Sequence, residues 1–129
     1  MQLKRLAQKF GILKLTPPQA FPEWLGQAEV FFIARTSDEY SIMCPQAIIP
    51  DGIAYSADYY CLRADGDLAF DEVGVVARLS KPLADAQISL FLVSTHDRDY
   101  VFVHEDDLQQ ALTIYCQHGV SIPSESDTN

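Results

Sequence analysis

Cysteine is scarce in this chain, basic residues are outnumbered, and no apolar stretch is long. The three cysteines, Cys44, Cys61 and Cys116, are odd in number, widely spaced and include no CxxC pair. That excludes a disulfide framework and a zinc site of established spacing. Buried free thiols in a reducing cytoplasm account for them. Lys and Arg total 9 against 18 Asp and Glu, a formal charge of -9. Such a surface repels phosphate backbones, which a nucleic-acid-binding protein must neutralise, so no nucleic-acid partner is expected. The longest apolar runs, around Val30 to Ala34 and Ile88 to Val93, fall far short of the roughly 20 residues that cross a bilayer. The amino terminus, Met1-Gln2-Leu3-Lys4-Arg5-Leu6, lacks the apolar core of a signal peptide. A cytoplasmic protein without membrane contact is expected. Neither a GxSxG elbow nor a glycine-rich phosphate loop is present, so nucleophilic or phosphate chemistry has no motif to rest on.

What is present is the composition of a globular domain: 129 residues, 48% hydrophobic and 21% charged. A chain of this size buries about two-thirds of its extended surface and holds its own core. Leu3 to Leu15 suggests one or two short strands. Pro22 to Leu25 allows a single helical turn. Val30 to Arg35 and Tyr40 to Cys44, joined by Ser37-Asp38-Glu39, form a hairpin pattern. Gln46 to Ala57 holds the turn signal Pro50-Asp51-Gly52 and is expected to be a largely irregular connection. Tyr59 to Ala64 is a further strand, ended by Asp65-Gly66-Asp67. Asp71 is a good N-cap for a helix beginning at Glu72, with Val76, Leu79, Leu83 and Ala86 on one face and Pro82 expected to kink or break it. Ile88 to Ser94 has the near-continuous apolar run of a central strand. His96-Asp97-Arg98 turns into Tyr100 to Val103. Glu105, Asp106 and Asp107 then crowd the positive end of a second helix, whose apolar stripe is Leu108, Ala111, Leu112, Tyr115 and Cys116 and whose stop is Gly119. Val120 to Ile122 can add an edge strand, followed by a polar tail.

The two hairpins align. Phe32-Ile33-Ala34-Arg35-Thr36-Ser37-Asp38 matches Phe91-Leu92-Val93-Ser94-Thr95-His96-Asp97, and after a one-residue gap Tyr40-Ser41-Ile42-Met43 matches Tyr100-Val101-Phe102-Val103. The offset of about sixty residues is of the size of a repeated structural unit. The second half runs strand, helix, strand, strand, helix, strand, and the first half has the same order with shrunken helices.

The segment Pro82-Leu83-Ala84-Asp85-Ala86-Gln87-Ile88-Ser89-Leu90-Phe91, followed by Ser94-Thr95-His96-Asp97-Arg98-Asp99-Tyr100-Val101-Phe102-Val103, resembles the ACT domain. More narrowly, it resembles the type found in bacterial aspartate kinases, small bacterial tandem-ACT proteins and animal cytosolic arginine sensors. The resemblance covers residues 59 to 122 well and Val30 to Pro45 more loosely. It implies an α+β, ferredoxin-like βαββαβ fold, here as two ACT-like repeats side by side, the first with reduced helices. The expected divisions are a degenerate repeat over 1–58, an ACT domain over 59–122 and a flexible tail over 123–129. The strand-and-helix order above agrees with that architecture. In the family, amino acids bind at the junction between neighbouring sheets.

An amino-acid site needs backbone donors for a carboxylate and side-chain carboxylates for an ammonium group. The turn before the first helix and the hairpin after Ser94 offer that mixture. By resemblance to the arginine-sensor type, Glu72, Val75, Thr95, His96 and Asp99 are the ligand-binding candidates. His96, Asp97, Asp99, His104, Glu105, Asp106 and Asp107 are all metal-capable but match no metal motif, so neither a metal nor another cofactor is expected. Trp24, Phe31, Tyr59 and Tyr60 either pack between the repeats or form an exposed patch at a dimer interface. The leading expectation is a non-catalytic, amino-acid-binding regulatory protein that forms a homo-oligomer. The alternative is a ligand-free interaction module.

Overall fold

Alternation of apolar and polar residues builds most of the strands, and a computed structural model describes residues 1–16, 20–65 and 73–123. The strands are β1 (Gln2–Arg5), β2 (Phe10–Leu15), β3 (Phe32–Arg35), β4 (Tyr40–Pro45), β5 (Ser56–Asp65), β6 (Phe91–Ser94) and β7 (Asp99–His104). The α-helices are α1 (Val75–Asp85) and α2 (Glu105–Gln117). The fold is mixed α and β, with antiparallel strand pairing and these two helices. The chain divides into two compact units, Gln8–Tyr59 and Met1–Ala7 with Tyr60–Asn129.

In the unit Gln8–Tyr59, β4 pairs antiparallel with both β2 and β3. Tyr40, Ile42 and Cys44 alternate along β4 into a core shared with Leu13 and Leu25. Leu25 is delivered by a short 3-10 turn, Glu23–Gln27, where one helical turn is expected. After β4 only another 3-10 turn forms, Gln46–Ile48. Pro50 follows too soon for an α-helix to continue, and Gly52 then takes a left-handed conformation at φ +91. The pairing of β2 with the start of β5 steps from Phe10↔Tyr59 to Ile12↔Ser56, a bulge with Asp58 at φ 71. Gln46 secures it, since its Oε1 accepts from the Asp58 N–H at 2.8 Å and its Nε2 donates to the Asp58 carboxylate at 3.1 Å.

The other unit has the strand order β1-β5-β7-β6. Leu3, Leu62, Ala64, Val101 and Val103 from its strands meet Val75, Leu79 and Leu83 of α1 and Leu108, Ala111 and Tyr115 of α2 in one core. The Tyr115 hydroxyl donates to the Leu79 carbonyl at 2.6 Å, joining the two helices through a buried hydrogen bond. Acidic residues at α2 positions 105 to 107 complement its dipole, and the His104 ring Nδ1 accepts from the Asp106 N–H at 3.2 Å.

Several expectations change here. Helix α1 begins at Val75 rather than Glu72, with Gly74 at the N-cap in the left-handed region, φ 90. Asp71 and Glu72 lie outside the described residues. The later start turns Val75 inward and leaves Val76 49% exposed. Pro82 does not break α1, which runs on to Asp85, because near the last turn a proline forfeits only one backbone bond. Strand β6 is an edge, not a central strand. The apolar run that suggested otherwise includes Ile88, which fills the helix-side core instead of covering a second neighbour. Residues 120–122 make a single bridge, Ser121↔Gln2, because β1 occupies the place beside β5 and Pro123 offers no further N–H.

The hairpins correspond without the expected gap. Phe32↔Met43 through Arg35↔Tyr40 in one unit has its counterpart in Phe91↔Phe102 through Ser94↔Asp99 in the other. Register, which the side-chain period fixes, overrides the similarity of Tyr40 to Tyr100.

Cys44 and Cys61 are buried as expected, but Cys116 is exposed. It sits one residue past Tyr115, outside the buried stripe of Leu108, Ala111 and Tyr115. Burial raises the Cys61 thiol pKa and pushes that of Cys44 up to about 11. A thiol reagent near neutral pH is therefore expected to modify Cys116 alone in the native protein and all three cysteines after denaturation. Rapid native labelling of a second thiol contradicts this. No described helix is long and apolar enough to cross a membrane.

Candidate functional site

The turn between β6 and β7 is closed by a threonine. The Thr95 N–H donates to the Arg98 carbonyl at 2.8 Å, while its hydroxyl donates to that carbonyl at 3.1 Å and accepts from the Arg98 N–H at 3.2 Å. Thr95, one of the ligand-binding candidates, thus has its hydroxyl engaged within the turn. His96 stands at the tip, its side chain 84% exposed, with Nδ1 2.7 Å from the Asp97 carboxylate.

Asp99 begins β7 and pairs across the hairpin with Ser94, whose hydroxyl donates to the Asp99 Oδ1. Alternation places Asp99 on the same face as Val101 and Val103, both in the helix-side core. Val75 belongs to that core too. With its side chain buried, what Val75 can offer a ligand is the backbone N–H of a helix start. The structure therefore groups Thr95, His96 and Asp99 on one hairpin and turns Asp99 toward the face where α1 packs. Glu72 lies outside the described residues.

The opposite face holds a cluster that the sequence reading missed. Arg63 and Asp65 alternate with the core residues Leu62 and Ala64 along β5. The Arg63 guanidinium grips Asp65 through Nε at 2.7 Å and Nη2 at 2.8 Å, and Arg98 Nη1 donates to the Asp65 Oδ1 at 2.5 Å. The available signal was the Arg-x-Asp spacing on a strand, which puts the two side chains on one face. The Arg63 hydrogen bonds, with the Arg98 charge added, hold the Asp65 carboxyl below its ordinary value of 3.8. A carboxyl lowered on folding contributes stability that is complete above the unfolded value and is lost as pH falls through the folded one. Carbon-13 NMR is expected to show Asp65 titrating with a midpoint below 3.8; a midpoint at or above it would mean that the two arginines do not outweigh the cost of burying the carboxylate.

The metal-capable cluster comes apart. His104 caps α2, Glu105 to Asp107 occupy its first turn, and His96 stands at the far end of β7. Among the described residues no group of three or more His, Cys, Asp or Glu is arranged to hold a metal ion. The four aromatic residues form no exposed patch. Trp24 and Phe31 pack on the core of Gln8–Tyr59, Tyr59 is half-buried, and Tyr60 packs on the other core with the Arg5 guanidinium 5.0 Å from its ring centre. A hollow of about 540 Å³ lies beside α2, against Leu112, Cys116 and Ile122. A second, of about 280 Å³, lies against Arg78, Lys81 and His118. Neither includes a predicted site residue.

Comparison with known proteins gives a consistent picture. A family model of the ACT domain matches residues 55–115, and a model of an N-terminal domain matches residues 8–52. A crystal structure of a protein from Agobacterium tumefaciens superposes with a TM-score of 0.88 at 32% identity, covering 99% of this chain and 97% of that one. The ligand-free regulatory subunit of aspartate kinase from Thermus thermophilus superposes with a TM-score of 0.61 at 12% identity, covering 91% and 97% of the two chains. At that identity the likeness concerns the fold. The human protein named cytosolic arginine sensor for mTORC1 subunit 1 is 40% identical over 47 residues, 36% of this chain. The matched stretch spans only 14% of that protein's length.

Proposed function

Since the chain belongs to the ACT-domain family, we propose that it is a non-catalytic regulatory protein that binds an amino acid through its second hairpin. The observation that carries this reading is Asp99, a half-buried carboxylate steadied by Ser94 on the helix-bearing face of its sheet. Asp99 holds the ammonium or cationic group of the ligand, joined by Glu72. The first N–H groups of α1, from Val75 onward, take the carboxylate. Thr95 stiffens the turn, and His96 flanks the ligand. The protein acts in the cytoplasm, and occupancy shifts a homodimer or partner equilibrium.

The chain consists of two ACT-like repeats, of which only the second binds. In the first hairpin the position of Asp99 is taken by Tyr40, which is buried, with the Arg35 guanidinium 5.6 Å from its ring centre. No carboxylate stands there to meet an ammonium group.

A thermal-stability scan against each of the twenty amino acids, with calorimetry on any hit, tests the reading. A ligand that binds only the folded state raises the melting temperature by mass action. A reproducible hit binding with one site per chain is expected. A flat panel at millimolar concentrations overturns the proposal and favours the interaction module, for which the exposed Phe91 on edge strand β6 is the natural contact.

A further inference from the structure

The two hairpin turns are internally alike. The Thr36 N–H donates to the Glu39 carbonyl at 2.9 Å and its hydroxyl accepts from the Glu39 N–H at 3.1 Å, matching Thr95 and Arg98 in the second hairpin. They differ at the fourth position. Glu39 forms no ion pair among the described residues, whereas Arg98 reaches out of its turn to Asp65 on β5. The first turn shows that the threonine bonds close such a hairpin without an external ion pair. Ser94↔Asp99 is the last cross-strand pair of β6 and β7, and beyond it the Thr95–Arg98 bonds close the turn on itself without tying it to β5. The hairpin that has the external tie is also the one with a carboxylate at the foot of the turn.

We propose that Arg98, gripped by Asp65, is a positioning residue for amino-acid binding, holding the turn against β5 so that Asp99 keeps the geometry its ligand requires. This rests on the reading of Asp99 as the ligand anchor. Arg63 is the support. Its two-pronged grip orients the Asp65 carboxylate, leaving Oδ1 shared between the two guanidiniums. The same grip keeps Asp65 partnered when Arg98 is removed, so the variant does not strand an unpaired carboxylate in a site where Asp65 is only 21% exposed.

The test is calorimetric titration of the full chain with whichever of the twenty amino acids stabilises it, using Arg98→Gln, Arg98→Lys, Asp65→Asn and the double variant Asp65→Asn with Arg98→Gln. Arg98→Gln is expected to weaken binding about fivefold, the upper range for a partly exposed ion pair, with the ligand-free melting temperature changed by no more than about 3 °C. Arg98→Lys restores part of the affinity. The double variant binds no more weakly than Arg98→Gln, because Asp65 reaches the turn only through Arg98. Added salt weakens binding more in the natural protein than in Arg98→Gln, a difference that a merely structural role would not produce. Equal affinity of Arg98→Gln and the natural protein overturns the positioning role while leaving the amino-acid reading intact. Losses that add in the double variant overturn it as well. Absence of binding to the natural protein removes the amino-acid reading, and the positioning role with it.

Discussion

Asp99→Ala is expected to abolish the amino-acid-induced rise in melting temperature while leaving the ligand-free protein folded. Asp99 is the first residue of its strand and is half-buried, and its hydrogen-bond partner Ser94 is exposed. Water can therefore satisfy the hydroxyl once the carboxylate is gone, and the cost to folding is about 1 kcal/mol or less. Binding is affected far more. A ligand cation that loses its charged, hydrogen-bonded partner forfeits about 2–5 kcal/mol, roughly thirtyfold to several thousandfold in affinity. Asp99→Asn separates charge from shape: it keeps an acceptor for Ser94 and removes the charge, so it is expected to bind nearly as poorly as the alanine variant. Calorimetry on both checks this. Undiminished affinity in Asp99→Ala would place the ligand elsewhere.

Tyr115→Ala is expected to have the largest effect on stability. Tyr115 is fully buried between the helices and the sheet, and its hydroxyl donates to the Leu79 carbonyl. Truncating a buried aromatic residue costs about 3–5 kcal/mol through lost transfer energy and the cavity left behind. For a chain of this size that lowers the melting temperature by about 10–18 °C. Tyr115→Phe removes only the hydrogen bond and is expected to cost about 1 kcal/mol, or about 4 °C. Thermal denaturation of the two variants divides the residue's contribution between packing and polar terms. A phenylalanine variant as unstable as the alanine one would mean that the hydroxyl, not the ring, carries the contribution.

The candidate site was only partly legible. Thr95, His96 and Asp99 were identified from a phrase that resembles a family, and the structure puts all three on one hairpin. The hydroxyl of Thr95 proved to be engaged in its own turn, which a motif does not reveal. Arg98 was in plain view within the turn, but its partner Asp65 is 33 residues away. Only the neighbouring placement of β5 and β7 brings them together.

The sequence by itself determined the features that depend on near neighbours. These include both hairpins, the acidic start of α2, its end near Gly119 and the lack of full helices around Pro50. Strand alternation, helical periodicity and turn chemistry are all settled within a few residues. Tertiary structure alone decided which strand lies beside which, and hence which residues are covered. It put the amino-terminal strand β1 against β5 and left 120–122 with a single bridge. It made β6 an edge and turned Val75 rather than Val76 inward. The physical reason is competition: any strand carries free N–H and C=O groups along both edges, and only the packing of the helices over one shared core selects which strand claims each edge.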